Sequence, residues 1–220
     1  MWVDKSMSEI KLILGDCLEV MKEINIDFDN WVLITDPPYG INIDTSWLTQ
    51  VHLGKGSPKN KCDDKLIGDS GNIKFDWLFK FKKRFIWGFP YIYDPNATGW
   101  IVWDKQPGVP RRAITSPVEM ASTTLRKGFD TFRCMWGGYM REKGEYRFEH
   151  PTQKPMKIFR IPIREWTNQN DVIFDPYMGS GTCAVACKEL GRNFIGIEIE
   201  PKYFEIAKRR IDNTTTDMFV

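Results

Sequence analysis

The 220-residue chain is short of histidine, and its cysteines form no framework. There are two His, His52 and His150, and five Cys: Cys17, Cys62, Cys134, Cys183 and Cys187. An odd count without regular spacing argues against a disulfide scaffold. Cys183 and Cys187 lie on one helical stretch, and with so few imidazoles to complete a zinc site no metal is expected. The thiols read as reduced core residues of an intracellular protein. No apolar run approaches the roughly 18 residues of a membrane span. The opening Met1-Trp2-Val3-Asp4-Lys5 has no apolar signal-peptide core, so a soluble protein without a membrane partner is expected. A strong charge of either sign is also missing. Lys and Arg number 31 against 29 acidic residues, a net +2 that does not announce a polyanion partner by itself.

What is present is apolar and aromatic. A hydrophobic content of 42% can bury one good core at this length, so a single domain over residues 1–220 is the expectation. Short branched runs alternate with helical stretches. Strands are read at 10–14, 84–87, 98–103, 117–123, 131–136, 171–175 and 194–198, and helical patterns at 17–24, 75–81, 156–166, 183–190 and from Pro201 to about 211. That alternation points to an α/β sheet, mostly parallel, with antiparallel additions near its edge. Two irregular segments interrupt it, residues 41–72 and 105–149. The first gathers glycines and lysines, Lys55 among them. The second carries Lys105, Arg111, Arg112, Arg126, Arg133 and Arg141 within a local surplus of basic residues that fits phosphate contacts, although a solvated basic face explains it too.

The sharpest motif is Thr35-Asp36-Pro37-Pro38-Tyr39-Gly40, after the apolar run Trp31-Val32-Leu33-Ile34. Consecutive prolines can neither extend a sheet ladder nor enter a helix interior, so they lock a turn at the strand's carboxyl end. The turn offers the Asp36 carboxylate, the Pro37 carbonyl and the Tyr39 ring. Two acceptors beside a stacking face suit a planar molecule with an exocyclic amino group.

A second motif, Asp175-Pro176-Tyr177-Met178-Gly179-Ser180-Gly181-Thr182, follows another apolar run, and Glu198 ends the next strand about 20 residues on. Gly179-x-Gly181-x-x-Ala184 also satisfies the dinucleotide pattern of dehydrogenases. Against that reading, a carboxylate leading into the loop repels a pyrophosphate but attracts an α-ammonium group, while Thr182 and the helix amino end suit a carboxylate. Asp16, closing the first strand, either caps the next helix or accepts from an adenine amino group, and both roles are compatible.

Asp36-Pro37-Pro38-Tyr39 resembles the catalytic motif of the S-adenosylmethionine-dependent DNA amino-methyltransferases, which modify adenine N6 or cytosine N4. His150-Pro151-Thr152-Gln153-Lys154-Pro155 is similar to a segment lying just ahead of that family's cofactor strand. The motif order resembles the circularly permuted arrangement called beta. The resemblance implies a Rossmann-like sheet with Asp36, Pro37, Pro38 and Tyr39 as the catalytic platform. It puts Asp16, Asp36, Lys154, Asp175, Pro176, Gly179, Ser180, Gly181, Thr182 and Glu198 around S-adenosylmethionine, and makes residues 41–72 and 105–149 a lid and target-recognition segments for double-stranded DNA. Adenine is favoured over cytosine because Asp at the first motif position is more usual for adenine. RNA or a protein amide as the substrate, or an inactive binding relative, are the competing readings. The family implies a prokaryotic, archaeal or phage-infected cytoplasm, and leaves open a homodimer and a restriction endonuclease partner.

Overall fold

The computed structural model describes residues 8–42, 69, 74–108, 116–137, 140–146, 148 and 150–215. Strand β1 (Ile10–Leu14) leads through helix α1 (Cys17–Glu23) to β2 (Val32–Thr35), and β3 (Lys83–Phe89) and β4 (Gly99–Asp104) follow. Next come β5 (Val118–Thr123), β6 (Gly128–Arg133) and a small hairpin of β7 (Trp136–Gly137) and β8 (Met140–Arg141). Helix α2 (Lys157–Trp166), β9 (Val172–Asp175), α3 (Thr182–Glu189), β10 (Asn193–Glu198) and α4 (Pro201–Asp212) complete the order.

Eight strands form one sheet in the order β1-β10-β9-β2-β3-β5-β4-β6. All pairs are parallel except those of β5, which runs antiparallel to both β3 and β4. The antiparallel strand β5 is third from one edge, in keeping with a mostly parallel sheet with an antiparallel addition near its edge, and the edge strand β6 itself lies parallel to β4. Residues 118–133 are thus part of the main sheet. The described part of 105–149 carries β5 to β8, and little of 41–72 lies within the described residues.

Both faces of the sheet are covered, which explains the unbroken apolar runs of its central strands. Val32, Ile34, Phe85, Trp87, Ile173 and Phe194 join the core beneath α2, α3 and α4. Their neighbours Leu33, Ile86, Phe174 and Ile197 point the other way, into a second core with Cys17, Leu78 and Phe81. The amphipathic pattern at 75–81 yields only one 3-10 turn, Leu78–Lys80. Its rings serve packing: Phe81 stacks on Phe174 at 5.5 Å and Trp77 meets Tyr177 at 6.2 Å. Pro162 lies inside α2 without breaking it, and is buried with Ile158, Phe159 and Ile163. The strand read at 131–136 is displaced, because Gly128 with φ +82° starts β6 earlier and β7 begins anew at Trp136.

Asp94 and Arg84 lock the far side of β3. Arg84 donates to both Asp94 oxygens at 2.7 Å and to the Phe81 carbonyl at 2.7 Å, with both side chains almost fully buried. Among the described residues no helix is long and apolar enough to cross a membrane, and no group of His, Cys, Asp and Glu is arranged to hold a metal ion.

Candidate active site

Parallel strands leave a crevice beyond their carboxyl ends where the chain's connections diverge to opposite sides. Here β2, β9 and β10 end together in Thr35, Asp175 and Glu198, and a cavity of about 750 Å³ opens above them. Asp16, Gly179 and Glu198 line it, as do Asp36, Pro37, Pro38 and Tyr39.

The glycine loop is built around Glu198. Its Oε2 accepts from Gly179 N at 2.8 Å and its Oε1 from Glu200 N at 2.8 Å. Burial raises its pKa, and these backbone N–H bonds oppose the rise. Gly179 has φ +54°, and a Cβ there would lie 2.9 Å from His150 Nε2. His150 packs 4.3 Å from the Tyr203 ring, and burial pushes its pKa down to about 3, so the imidazole is neutral. Gly181 serves packing: it does not line the cavity, and at φ +78° a Cβ would lie 2.7 Å from that of Ala207 on α4. Ser180 and Thr182 do line it. Arg210 supports them from behind, donating to the Ser180 carbonyl at 2.6 Å and to both hydroxyls at 3.1 Å.

Asp175 is buried beside Pro176. Its Oδ1 accepts from Thr35 Oγ1 at 2.7 Å and from Tyr177 N at 3.1 Å. Burial raises its pKa to about 7, against these bonds, so near neutral pH it exists in both forms. Asp16 caps α1, accepting from Leu18 N at 2.7 Å and Glu19 N at 3.4 Å, and it also lines the cavity.

At the other end Asp36 is bonded through both oxygens. Tyr39 Oη donates to Oδ1 at 2.6 Å and Lys154 Nζ to Oδ2 at 2.5 Å. Burial raises the Asp36 pKa, while Lys154 and the Tyr39 hydroxyl oppose the rise. Lys154 also lies 3.3 Å from Glu119 Oε2, whose other oxygen accepts from Lys105 at 2.9 Å. The cluster is therefore two carboxylates and two ammonium groups. Lys154, expected around the cofactor, has its charge engaged at the platform. The platform loop itself is held by Asp69, whose Oδ1 accepts from Gly40 N at 2.8 Å.

Three platform neighbours escaped the sequence reading. Gly88 takes φ +105°, and a Cβ there would come within 2.4 Å of the Tyr39 ring. Tyr91, exposed, stacks on Tyr39 at 5.5 Å and 15°. Glu119 meets Lys105 and Lys154 only because β5 pairs with β4 in the register Trp103↔Glu119. A glycine ending a strand was the one visible signal; the other two depend on sheet order.

The basic candidates separate. Lys105 lines the cavity, paired with Glu119. Arg133 ends β6 opposite Asp104, at the cavity end of the sheet, and Arg141 sits exposed on β8. Arg126 falls elsewhere: it lies beside Gly99, the start of β4, about 13 Å along the strand from the cavity-lining Trp103. There it pairs with Asp130 and its guanidinium lies 5.2 Å from the Trp166 ring, a packing arrangement remote from the crevice. Lys55, Arg111 and Arg112 lie outside the described residues.

The family model N6_N4_Mtase, described as DNA methylase, matches residues 94–209, just over half of the chain. Type II methyltransferase M2.LlaDCHI of Lactococcus lactis subsp. cremoris is 46% identical, over 93% of this chain and 90% of its own length. Type II methyltransferase M2.MboI of Moraxella bovis is 45% identical, over 91% and 87%. Among solved structures, the M1.HpyAVI–SAM complex matches with a TM-score of 0.58 at 26% identity, covering 91% of this chain and 99% of that one. The cytosine-N4-specific PvuII DNA methyltransferase, at 14% identity and a TM-score of 0.56, shares the fold. With the strand-end crevice, the proline-locked acid and these relatives in agreement, the chain belongs to the N6/N4 amino-methyltransferase family of DNA methylases.

Proposed function

We propose that the chain is a site-specific type II DNA methyltransferase that uses S-adenosylmethionine to methylate adenine N6 in duplex DNA. One observation carries the reading: a single cavity joins the Asp36–Tyr39 platform to the glycine loop with Asp16 and Glu198. Its volume suits a cofactor-sized ligand with room for a base. The acids match the donors of the cofactor: Glu198 the ribose hydroxyls, Asp16 the adenine amine, Asp175 the α-ammonium. Thr182, Ser180 and the amino end of α3 face the opposite charge of the carboxylate. Bound there, S-adenosylmethionine supplies an electrophilic sulfonium methyl.

The chain's own residues then act on the base. The exocyclic amine is a poor nucleophile because its lone pair is delocalised into the ring. Asp36 and the Pro37 carbonyl each accept one of its hydrogens, which draws nitrogen toward tetrahedral geometry and turns its lone pair to the donor. Position supplies much of the remaining acceleration. The base must leave the duplex to reach the platform, where Tyr39 stacks on it. Arg133 and Arg141, at the cavity end of the sheet or beside it, are the described basic residues best placed to meet phosphate.

Asp in the first motif position favours adenine over cytosine N4. The basic residues and the relatives favour DNA over RNA or a protein amide, and the intact acids favour an enzyme over an inactive binder. Methylating unmodified duplex with labelled cofactor, digesting it to nucleosides and weighing them tests the reading. N6-methyldeoxyadenosine is the expected product; N4-methyldeoxycytidine, or label only in RNA or protein, overturns it. Mapping the label identifies the site.

A further inference from the structure

The platform has an accounting problem that only the side chains reveal. An exocyclic amine needs an acceptor, yet both Asp36 oxygens are already engaged, Oδ1 by the Tyr39 hydroxyl and Oδ2 by Lys154. Each oxygen keeps a second lone pair, but the amine must compete there with a donor already in place, and withdrawal of one donor would strengthen its bond. Lys154 has somewhere to go. Its Nζ is 2.5 Å from Asp36 Oδ2 and 3.3 Å from Glu119 Oε2. That Glu119 oxygen is buried and, among the described residues, has no hydrogen-bond partner, the Lys154 contact lacking hydrogen-bond geometry. Glu119 Oε1 is held by Lys105, so the carboxylate is fixed with its free oxygen beside Lys154.

We infer that Glu119 is a positioning residue that draws Lys154 away from Asp36 when the target amine arrives, so that the hold of the ammonium on Asp36 Oδ2 gives way to that of the substrate. The inference rests on the amine-methylation reading above. A charge-assisted N–H···O bond of about 2.8 Å requires Nζ to approach Glu119 by about half an ångström, which lengthens and weakens its bond to Asp36 without severing it. Charge balance is kept throughout. Lys154 stays between the same two carboxylates, Glu119 gains the bond it lacks, and Asp36 stays ionised beside a cation. An acceptor without such a neighbour would either hold its lysine against the substrate or strand a buried ammonium, and both are costly. Neither carboxylate alone provides the exchange, which needs β2, β5 and the segment before α2 brought together.

The test measures preference for the amine without turnover. Duplexes carrying the mapped site are prepared with the natural target base and with the analogue lacking its exocyclic amine. Dissociation constants are measured with a non-reactive cofactor analogue bound, for wild type, E119Q, K154M and E119Q/K154M. Flipping costs differ between the two bases but cancel across variants, so the ratio reports the amine's bond. In E119Q Lys154 keeps only Asp36 as an anionic partner, and the wild-type preference for the amine should fall about tenfold. In the K154M background, with no lysine to move, E119Q should change the ratio less than twofold. An unchanged ratio in E119Q, or an equal fall in both backgrounds, overturns the inference. A wild-type circular dichroism spectrum and urea midpoint are the control for folding, and an E119Q that fails it while E119D retains the wild-type ratio would still support the role of the carboxylate, whereas loss of the ratio in E119D as well would oppose it. A wild type that methylates no exocyclic amine removes the underlying reading; one that does, with an unresponsive ratio, removes only this step.

Discussion

If Asp175 holds the methyl donor as proposed, cofactor affinity depends on pH, and its raised pKa sets the direction. The carboxyl is buried, and burial raises its pKa from 3.8 to about 7 despite the hydroxyl of Thr35 and the N–H of Tyr177. If its ionised form holds the α-ammonium of the methyl donor, binding must deprotonate it. With a pKa of about 7 the ionised fraction is roughly 0.09 at pH 6 and roughly 0.76 at pH 7.5; allowing for partial loss of the ligand's ammonium proton at pH 7.5, affinity should rise about sixfold between them. Above about pH 8 the ligand's own amine loses its proton, so the comparison ends below that. Calorimetry in buffers of different ionisation enthalpy reads both the affinity and the proton released. Asp175→Asn should bind more weakly at pH 7.5 and lose the slope. A flat affinity in wild type, or the same slope in Asp175→Asn, refutes the assignment. The same shift has a stability consequence. The folded chain holds a proton that the unfolded chain has lost, so this contribution is complete below about pH 4 and is lost as pH rises through about 7. The loss is on the order of 4 kcal/mol for about three units. Urea unfolding at pH 5 and pH 8 should therefore show a smaller decline in Asp175→Asn than in wild type.

Further outcomes follow from single contacts. Asp36→Ala should abolish methyl transfer, with cofactor binding by calorimetry retained within about threefold; normal turnover would remove Asp36 from the mechanism. Gly88→Ala puts a Cβ within 2.4 Å of Tyr39 at φ +105°, so it should displace the ring and lower kcat/KM at least about tenfold, with loss of Tyr39 contacts visible in a crystal structure. Arg84→Ala strands the buried Asp94 and should cost about 3–5 kcal/mol of unfolding free energy in urea, with no effect on cofactor contacts. Glu198→Ala should weaken cofactor binding at least about tenfold, since it removes both a proposed ribose acceptor and the anchor of Gly179 N.

Much of this was legible before any coordinates. Short branched runs marked β1, β2, β9 and β10; in β2 and β9 the run is unbroken because strands buried on both faces leave no polar alternation, whereas the edge strand β1 keeps exposed Lys11 and Leu14. Paired prolines after Thr35, and glycines after Asp175, identified the turns, since those residue types constrain the backbone by themselves. Element bounds there agree within about two residues. Where local pattern competed with packing it misled: residues 75–81 have helical spacing, yet their aromatics pack between two elements and form one 3-10 turn.

Local chemistry thus determined the elements, the proline-locked turn and the order of the motifs, because each is written in a few adjacent residues. Sheet order decided the rest. Placing β5 antiparallel between β3 and β4 set Glu119 beside Lys105 and Lys154, and carried Arg126 to the opposite end from the crevice. The charges on Asp36, 118 residues from Lys154, are balanced by pairs that no spacing reveals, since electrostatic and steric contacts follow distance in space and not position along the chain.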